Sequence, residues 1–119
     1  MSETLTPSLQ ALLGIEGLIA LAENFGGRRL YVPYALAADH ELVKALGEPR
    51  AKKLASMFAP AVIRVPLARE LRARHYRATG FSNGEIATKL GMTEPGVDKL
   101  FARMERPPAK GSGQLSLEF

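Results

Sequence analysis

The chain has 119 residues, 46% of them hydrophobic and 24% charged, with a net charge of +4, which is typical of one small globular domain or two very small ones. It contains no Cys and only two His, which excludes a disulfide framework, a thiol nucleophile and a histidine-rich metal centre. The longest apolar run, Leu18 to Ala22, is too short to span a bilayer, and the first ten residues lack the regions of a signal peptide, so we expect a cytoplasmic protein.

Three helices and two short strands are predicted in residues 1–66. Apolar residues at helical spacing indicate the helices, and β-favouring residues that precede a proline indicate the strands. In chain order the predicted elements span 8–24, 29–33, 38–46, 50–58 and 61–65. The Gly-Glu-Pro sequence at 47–49 is expected to end the second helix. The third helix is expected to turn Leu54, Met57 and Phe58 inward.

The two predicted strands belong to a sequence pattern that occurs twice. LAENFGGRRLYVP (21–33) matches LASMFAPAVIRVP (54–66) at a constant offset of 33 residues, with Leu, Ala, Phe, an aliphatic residue, Val and Pro coinciding. Because side chains alternate between the two faces of a strand, each strand presents one apolar face. The residues on these faces are Leu30, Val32, Ile63 and Val65. We expect the strands to pair antiparallel about a local two-fold with helices over the apolar face, although short apolar words also coincide by chance.

Residues 67–106 are predicted to form a second domain of three helices. The first helix spans 67–79, and the second begins at a capping box made by Ser82 and Glu85. Thr93 caps the third helix. The order of these elements predicts a helix-turn-helix DNA-binding domain.

Four small or apolar residues in the second and third helices have the spacing of a DNA-binding helix-turn-helix. Ala87 is small where the third helix crosses close to it, and Gly91 supplies the positive φ of the sharp turn. Val97 and Leu100 anchor the third helix on the second, which would direct its N-terminal residues into the major groove. A purely structural three-helix unit is the alternative.

The distribution of charge also favours a nucleic-acid partner. Residues 61–119 contain ten Lys/Arg and six Asp/Glu, whereas residues 1–60 contain six of each, so the whole surplus lies in the second half. An arginine stripe is typical of a phosphate-backbone binder, although a solvated helix face gives the same pattern. The candidate DNA-binding residues are Arg69, Arg72, Arg74 and Arg77 on the first helix and Thr93, Glu94, Asp98, Lys99 and Arg103 on the third.

The third-helix candidates carry groups of both signs. Lys99 and Arg103 are suited to bases or phosphates, because they are hydrogen-bond donors with positive charge. Glu94 and Asp98 are suited instead to accepting hydrogen bonds from cytosine amino groups.

The sequence Gly-Gly-Arg-Arg-Leu-Tyr-Val-Pro at 26–33 matches the signature GG-x-x-x-Tyr-aliphatic-Pro. On this signature, and on the order of strand and helix-turn-helix, residues about 19–104 resemble the Mor transcription activator family of Mu-like phages. The resemblance implies a dimer, built through the strand and its flanking helices, that presents two helix-turn-helix units to a two-fold DNA site in a bacterial or phage-infected host cell. This chain departs from the family by carrying the strand segment twice, with Ala59-Pro60 in place of glycines. Both a homodimer and an internal pseudo-dimer are therefore open.

Residues 107–119 have the composition of a flexible tail. A linker that contains Pro, Gly and Ser leads to the final hexapeptide QLSLEF. This hexapeptide resembles the bacterial β sliding clamp-binding motif QLxLxF, with every specified position matched. The resemblance implies that Gln114 hydrogen-bonds at a small pocket, that Leu117 and Phe119 fill an apolar cleft, and that Leu115 adds packing. A frayed tail, or one that packs on its own domain as an edge strand, is the alternative.

The sequence predicts a binding protein that is not an enzyme. It has no recognisable P-loop, nucleophile–base motif or metal-ligand cluster, no cofactor is expected, and His40 beside Asp39 is interpreted as a helix-start residue. We expect a phage-type helix-turn-helix protein that binds double-stranded DNA and docks on the bacterial β sliding clamp, coupling DNA binding to replication. The alternatives are a Mor-like transcription activator with an incidental tail, and a replication inhibitor that acts by occupying the clamp.

Overall fold

A computed structural model of the protein describes residues 5–104, which contain six helices and one two-stranded antiparallel sheet. The elements are α1 (Thr6–Phe25), β1 (Arg29–Val32), α2 (Glu41–Leu46), α3 (Glu48–Phe58), β2 (Ala61–Arg64), α4 (Arg69–Ala78), α5 (Asn83–Leu90) and α6 (Glu94–Ala102). The expected mainly helical fold with a short β ribbon is confirmed. The chain divides between Ala68 and Arg69 into an N-terminal unit and a C-terminal unit. Within the described residues, no helix combines the length and apolar character needed to cross a membrane.

The helices of the N-terminal unit begin where local chemistry supports their first amides. Pro7 lies in the first turn of α1, where its missing N–H is not needed, and Gly14, at φ +78°, interrupts the helix. The second helix begins at Glu41 rather than at 38, because the His40 side chain caps it. His40 Nδ1 accepts a hydrogen bond from the amide of Leu42 at 3.0 Å, which confirms the interpretation of this histidine as a helix-start residue.

Two expectations about α3 are wrong. Glu48 and Pro49 begin this helix rather than ending the one before it, because Gly47, at φ +82°, separates α2 from α3. Met57 is 59% exposed, although it was predicted to face inward. The buried stripe of α3 contains Ala51, Leu54 and Ala55, and Met57 lies beyond its edge.

The register of β1 and β2 pairs residues that are equivalent in the sequence pattern. Arg29 lies opposite Arg64, Leu30 opposite Ile63, Tyr31 opposite Val62, and Val32 opposite Ala61. Leu30 and Ile63 are separated by the 33 residues of the offset between the two matching segments. The antiparallel pairing is therefore confirmed. We call the paired strands the ribbon.

One face of the ribbon is buried against the helices of the N-terminal unit, as predicted. Leu30, Val32 and Ile63 are buried in the ribbon, and Val65 is buried just after it. The backbone pairing continues past the strands, since Gly27 N donates to Val65 O at 2.8 Å and Val65 N donates to Arg28 O at 2.9 Å. Helices α1, α2 and α3 pack on one another and supply the rest of the core. Its fully buried side chains include Leu9, Leu18, Leu21, Leu42 and Leu54.

The link to the C-terminal unit corrects the predicted start of the next helix. Helix α4 begins at Arg69, two residues later than expected. Ala68 has a φ of +51°, which lies in the left-handed region and cannot belong to a right-handed helix.

The other face of the ribbon is exposed and carries two like charges. Tyr31 is 56% exposed and Val62 is 51% exposed. Arg29 and Arg64 are also exposed, and they lie directly opposite each other across the two strands. Like charges at directly opposed positions of an antiparallel pair destabilise it.

Replacing Arg64 with Glu should therefore stabilise the N-terminal unit by about 0.5 kcal/mol, because it turns a repulsive cross-strand pair into an attractive one. Chemical unfolding followed by circular dichroism measures the change. Arg64→Lys keeps the positive charge and is the matched control, for which no gain is expected. Equal stabilities of the Glu and Lys variants would show that the two arginines do not interact.

Candidate nucleic-acid interface

The C-terminal unit is built from α4, α5 and α6, each of which contacts the other two. Their buried side chains form one cluster, with Phe81, Met92 and Phe101 packed at its margin. The cluster members are Ala73, Tyr76, Ile86, Ala87, Leu90, Val97, Leu100 and Met104. Helix α6 therefore buries one side and leaves the other exposed.

The start of α5 is fixed by the predicted capping box. Ser82 Oγ accepts a hydrogen bond from the amide of Glu85 at 3.2 Å, and Glu85 Oε1 accepts one from the amide of Ser82 at 2.8 Å. These two bonds satisfy amides that have no partner within the helix. The helix begins at Asn83, two residues earlier than expected.

The turn between α5 and α6 is sharp because Gly91 is left-handed. Its φ of +68° and ψ of +38° are readily reached by Gly, and the amide of Met92 donates back to Ala87 O at 2.9 Å. Thr93 Oγ1 then accepts from the amide of Gly96 at 3.1 Å and caps α6. The predicted positive φ and the predicted cap are both confirmed.

The apolar anchors of α6 are also placed as predicted. Val97 is completely buried and Leu100 is 6% exposed, while Ala87 on α5 is 6% exposed. With three consecutive turns of the chain constrained in this way, the exposed side of α6 is fixed. It contains Glu94, Pro95, Asp98, Lys99 and Ala102, and Arg103 is exposed directly after the helix.

All five candidates from the third helix thus lie on the surface of the C-terminal unit. Thr93 and Glu94 are exposed at the start of α6, and Asp98, Lys99 and Arg103 are exposed along it or just after it. The hydroxyl of Thr93 is already engaged as the helix cap, so its contribution to a ligand is limited to its remaining hydrogen-bonding capacity.

The four arginines of α4 do not form one exposed stripe. Arg69 is exposed, and Arg77 is half-buried with its guanidinium carbon 4.8 Å from the ring centre of Phe101. Arg72 and Arg74 are each only 6% exposed. Arg74 Nε lies 3.6 Å from Glu70 Oε2, one helical turn away.

Arg72 has a structural environment that explains its burial. Its Nε donates to the Tyr76 hydroxyl at 3.1 Å, and its Nη2 donates to the carbonyl of Lys89 at 3.0 Å. The second bond satisfies a carbonyl in the last turn of α5, where carbonyls lack partners within the helix. Burial places Arg72 and Arg74 away from the surface, so we leave both out of the candidate interface. Their spacing along the sequence gave no sign of this, because arginines on one helix can occupy different faces.

Replacing Arg72 with Met should destabilise the C-terminal unit by about 1–3 kcal/mol, because the Lys89 carbonyl and the Tyr76 hydroxyl lose a charged donor. Met retains a long apolar stem, so the lost hydrogen bonds dominate the effect. Arg69→Met is the matched control on the exposed side of α4, and its change should stay within about 0.5 kcal/mol. Thermal unfolding followed at 222 nm distinguishes the two; equal changes would contradict the assigned role of Arg72.

The predicted clamp-binding residues Gln114, Leu115, Leu117 and Phe119 lie outside the described residues. Comparisons with protein-family models, with curated proteins and with solved structures found no match to this chain. The similarity to the Mor family and to the clamp-binding motif thus depends on the motif residues of the sequence alone.

Proposed function

We propose that the C-terminal unit is a helix-turn-helix that binds double-stranded DNA, with α6 as the helix that enters the major groove. The observation that carries the proposal is the turn at Gly91 together with the buried anchors Val97 and Leu100. This arrangement leaves Lys99 and Arg103 exposed on the outer side of α6. A short helix held in this way by its neighbours presents one side to a groove.

The charge of the unit supports an anionic partner. Residues 69–104 contain seven Lys/Arg and four Asp/Glu, and 7 − 4 gives a net charge of +3. Two of the seven, Arg72 and Arg74, are buried, so the cations that reach the surface are fewer than the sequence indicates. They include Lys99 and Arg103 on the proposed recognition helix, which can contact phosphates or guanine.

Removing Lys99 and Arg103 together by substitution with Ala should weaken duplex binding at every salt concentration and lower the salt slope of log K by about 1 per lost phosphate contact. Fluorescence anisotropy with a labelled duplex, over a series of salt concentrations, measures both quantities. The control is Lys44→Ala with Lys53→Ala, which removes the same charge from exposed sites of the N-terminal unit. If the control loses as much affinity as the test variant, net charge rather than α6 determines binding.

The N-terminal unit is proposed to be a repeat of two helix–strand halves about a local two-fold. Its support is the register that sets Leu30 opposite Ile63. The helices before the two strands also end alike, since the amide of Gly26 donates to Ala22 O and that of Ala59 donates to Ala55 O, again 33 residues apart. In this proposal the pairing within one chain takes the place of the subunit contact that the Mor family makes between two chains.

We further propose that the tail docks on the bacterial β sliding clamp, so that the protein couples a DNA site to the replication machinery. The support is the complete agreement of QLSLEF with the motif QLxLxF and its position after a linker of low burial potential. Activation of phage transcription and inhibition of replication by clamp occupancy remain the alternatives.

Leu117→Ala combined with Phe119→Ala should reduce binding to purified bacterial β clamp by at least tenfold, because these two side chains are the apolar anchors of the motif. Surface plasmon resonance on immobilised clamp measures the change. Ser116→Ala combined with Glu118→Ala alters the two unspecified positions and should bind like the unsubstituted chain. Clamp binding that survives deletion of residues 114–119 would remove the tail from the proposal and leave DNA binding untouched.

A further inference from the structure

The first turn of α5 lies against the acidic side of α6. Asn83 Nδ2 donates a hydrogen bond to Asp98 Oδ1. The position that a Cβ atom at Gly84 would occupy lies 3.4 Å from Glu94 Oε2. Glu94 and Asp98 are four residues apart, so they lie on the same side of α6. Both carboxylates therefore have neighbours within the unit in the absence of any ligand.

The two carboxylates are held in different ways. Glu94 lies over the first turn of α5, where the partial positive charge of a helix N-terminus favours an anion. Asp98 uses one oxygen to accept from Asn83, and its side chain remains exposed. Because a carboxylate has lone pairs for several donors, Asp98 can accept a further hydrogen bond from a ligand. Glu94 acts in this arrangement on the fold, and Asp98 keeps capacity for recognition.

Asn83 is oriented by this contact. Only the nitrogen of its amide can donate to a carboxylate, so the Asn83 oxygen turns away from Asp98. There the oxygen is buried and, among the described residues, has no hydrogen-bond partner. A buried acceptor without a partner carries a free-energy cost. The contact with Asp98 is therefore what holds the Asn83 side chain in place.

Asp98 borders the part of α6 that a groove would meet. Pro95 and Ala102 occupy the middle of the exposed side, and Lys99 follows Asp98 at about 100° around the helix axis. An acceptor, a small apolar surface and a donor thus lie side by side. In the major groove these complement a cytosine amino group, a thymine methyl group and the acceptors of guanine.

We propose that Asn83 is a positioning residue that fixes Asp98 as the acceptor for a cytosine amino group in the major groove. The inference depends on the proposed DNA binding and refines it, because it assigns base recognition to Asp98 and removes it from Glu94. The charge-assisted hydrogen bond restrains the Asp98 carboxylate, so less freedom is lost when a base binds.

Selection from a randomised duplex library tests the proposal, since it reports the base preference at each position of the selected site. The unsubstituted chain is compared with Asp98→Asn, Asn83→Ala and the control Glu94→Gln. Asp98→Asn should reduce a preference for cytosine at one position by about tenfold, because the amide nitrogen cannot accept from it. Asn83→Ala should reduce the same preference severalfold and leave other positions unchanged. Glu94→Gln should leave the preference at that position intact.

The outcomes separate this inference from the proposed function. If the unsubstituted chain selects no duplex, DNA binding and the role of Asn83 both fail. If it selects a site but Asn83→Ala keeps the full preference at the position that Asp98→Asn changes, only the role of Asn83 fails. An effect of Glu94→Gln at that position would also overturn the assignment. Circular dichroism verifies folding, and Asn83→Ser replaces the Ala variant if the latter does not fold.

Discussion

Val97 and Leu100 bury the apolar side of α6 in the core of the C-terminal unit, and this contact sets the rotation of the helix about its own axis. The left-handed Gly91 and the Thr93 cap determine where the helix begins, so neither its position nor its rotation is free. Every surface property of α6 depends on that constraint. Rotating the helix by one residue, about 100°, would bury a charged side chain without a partner, at a cost that the small core could not offset.

The acidic side of α6 illustrates how a fold and a recognition surface share the same residues. Asp98 is held by Asn83, and Glu94 lies at the first turn of α5, whereas Lys99 and Arg103 have the other side of the helix to themselves. Negative charge close to the helix that is proposed to enter DNA opposes non-specific attraction to phosphates. Such a surface favours binding in which particular base contacts compensate for that repulsion.

Local chemistry explains what could be predicted from sequence. The capping box of Ser82 and Glu85, the Thr93 cap and the left-handed Gly91 each involve residues within a few positions of one another, and all three are confirmed. The two-residue alternation of the strands likewise identified the buried face of the ribbon. The exposure of Arg72 and Arg74 could not be read in this way, because it depends on which side of α4 other elements cover. The same holds for Met57, which a small rotation of α3 leaves exposed.

Because β1 and β2 belong to one chain, the ribbon forms by an intramolecular reaction whose equilibrium does not vary with protein concentration. Strands contributed by two separate subunits would instead dissociate on dilution, and their stability would follow mass action. Closing the loop between Val32 and Ala61 costs entropy once, and that cost grows only slowly with loop length. Few copies of the protein in a cell would therefore suffice to keep the ribbon assembled.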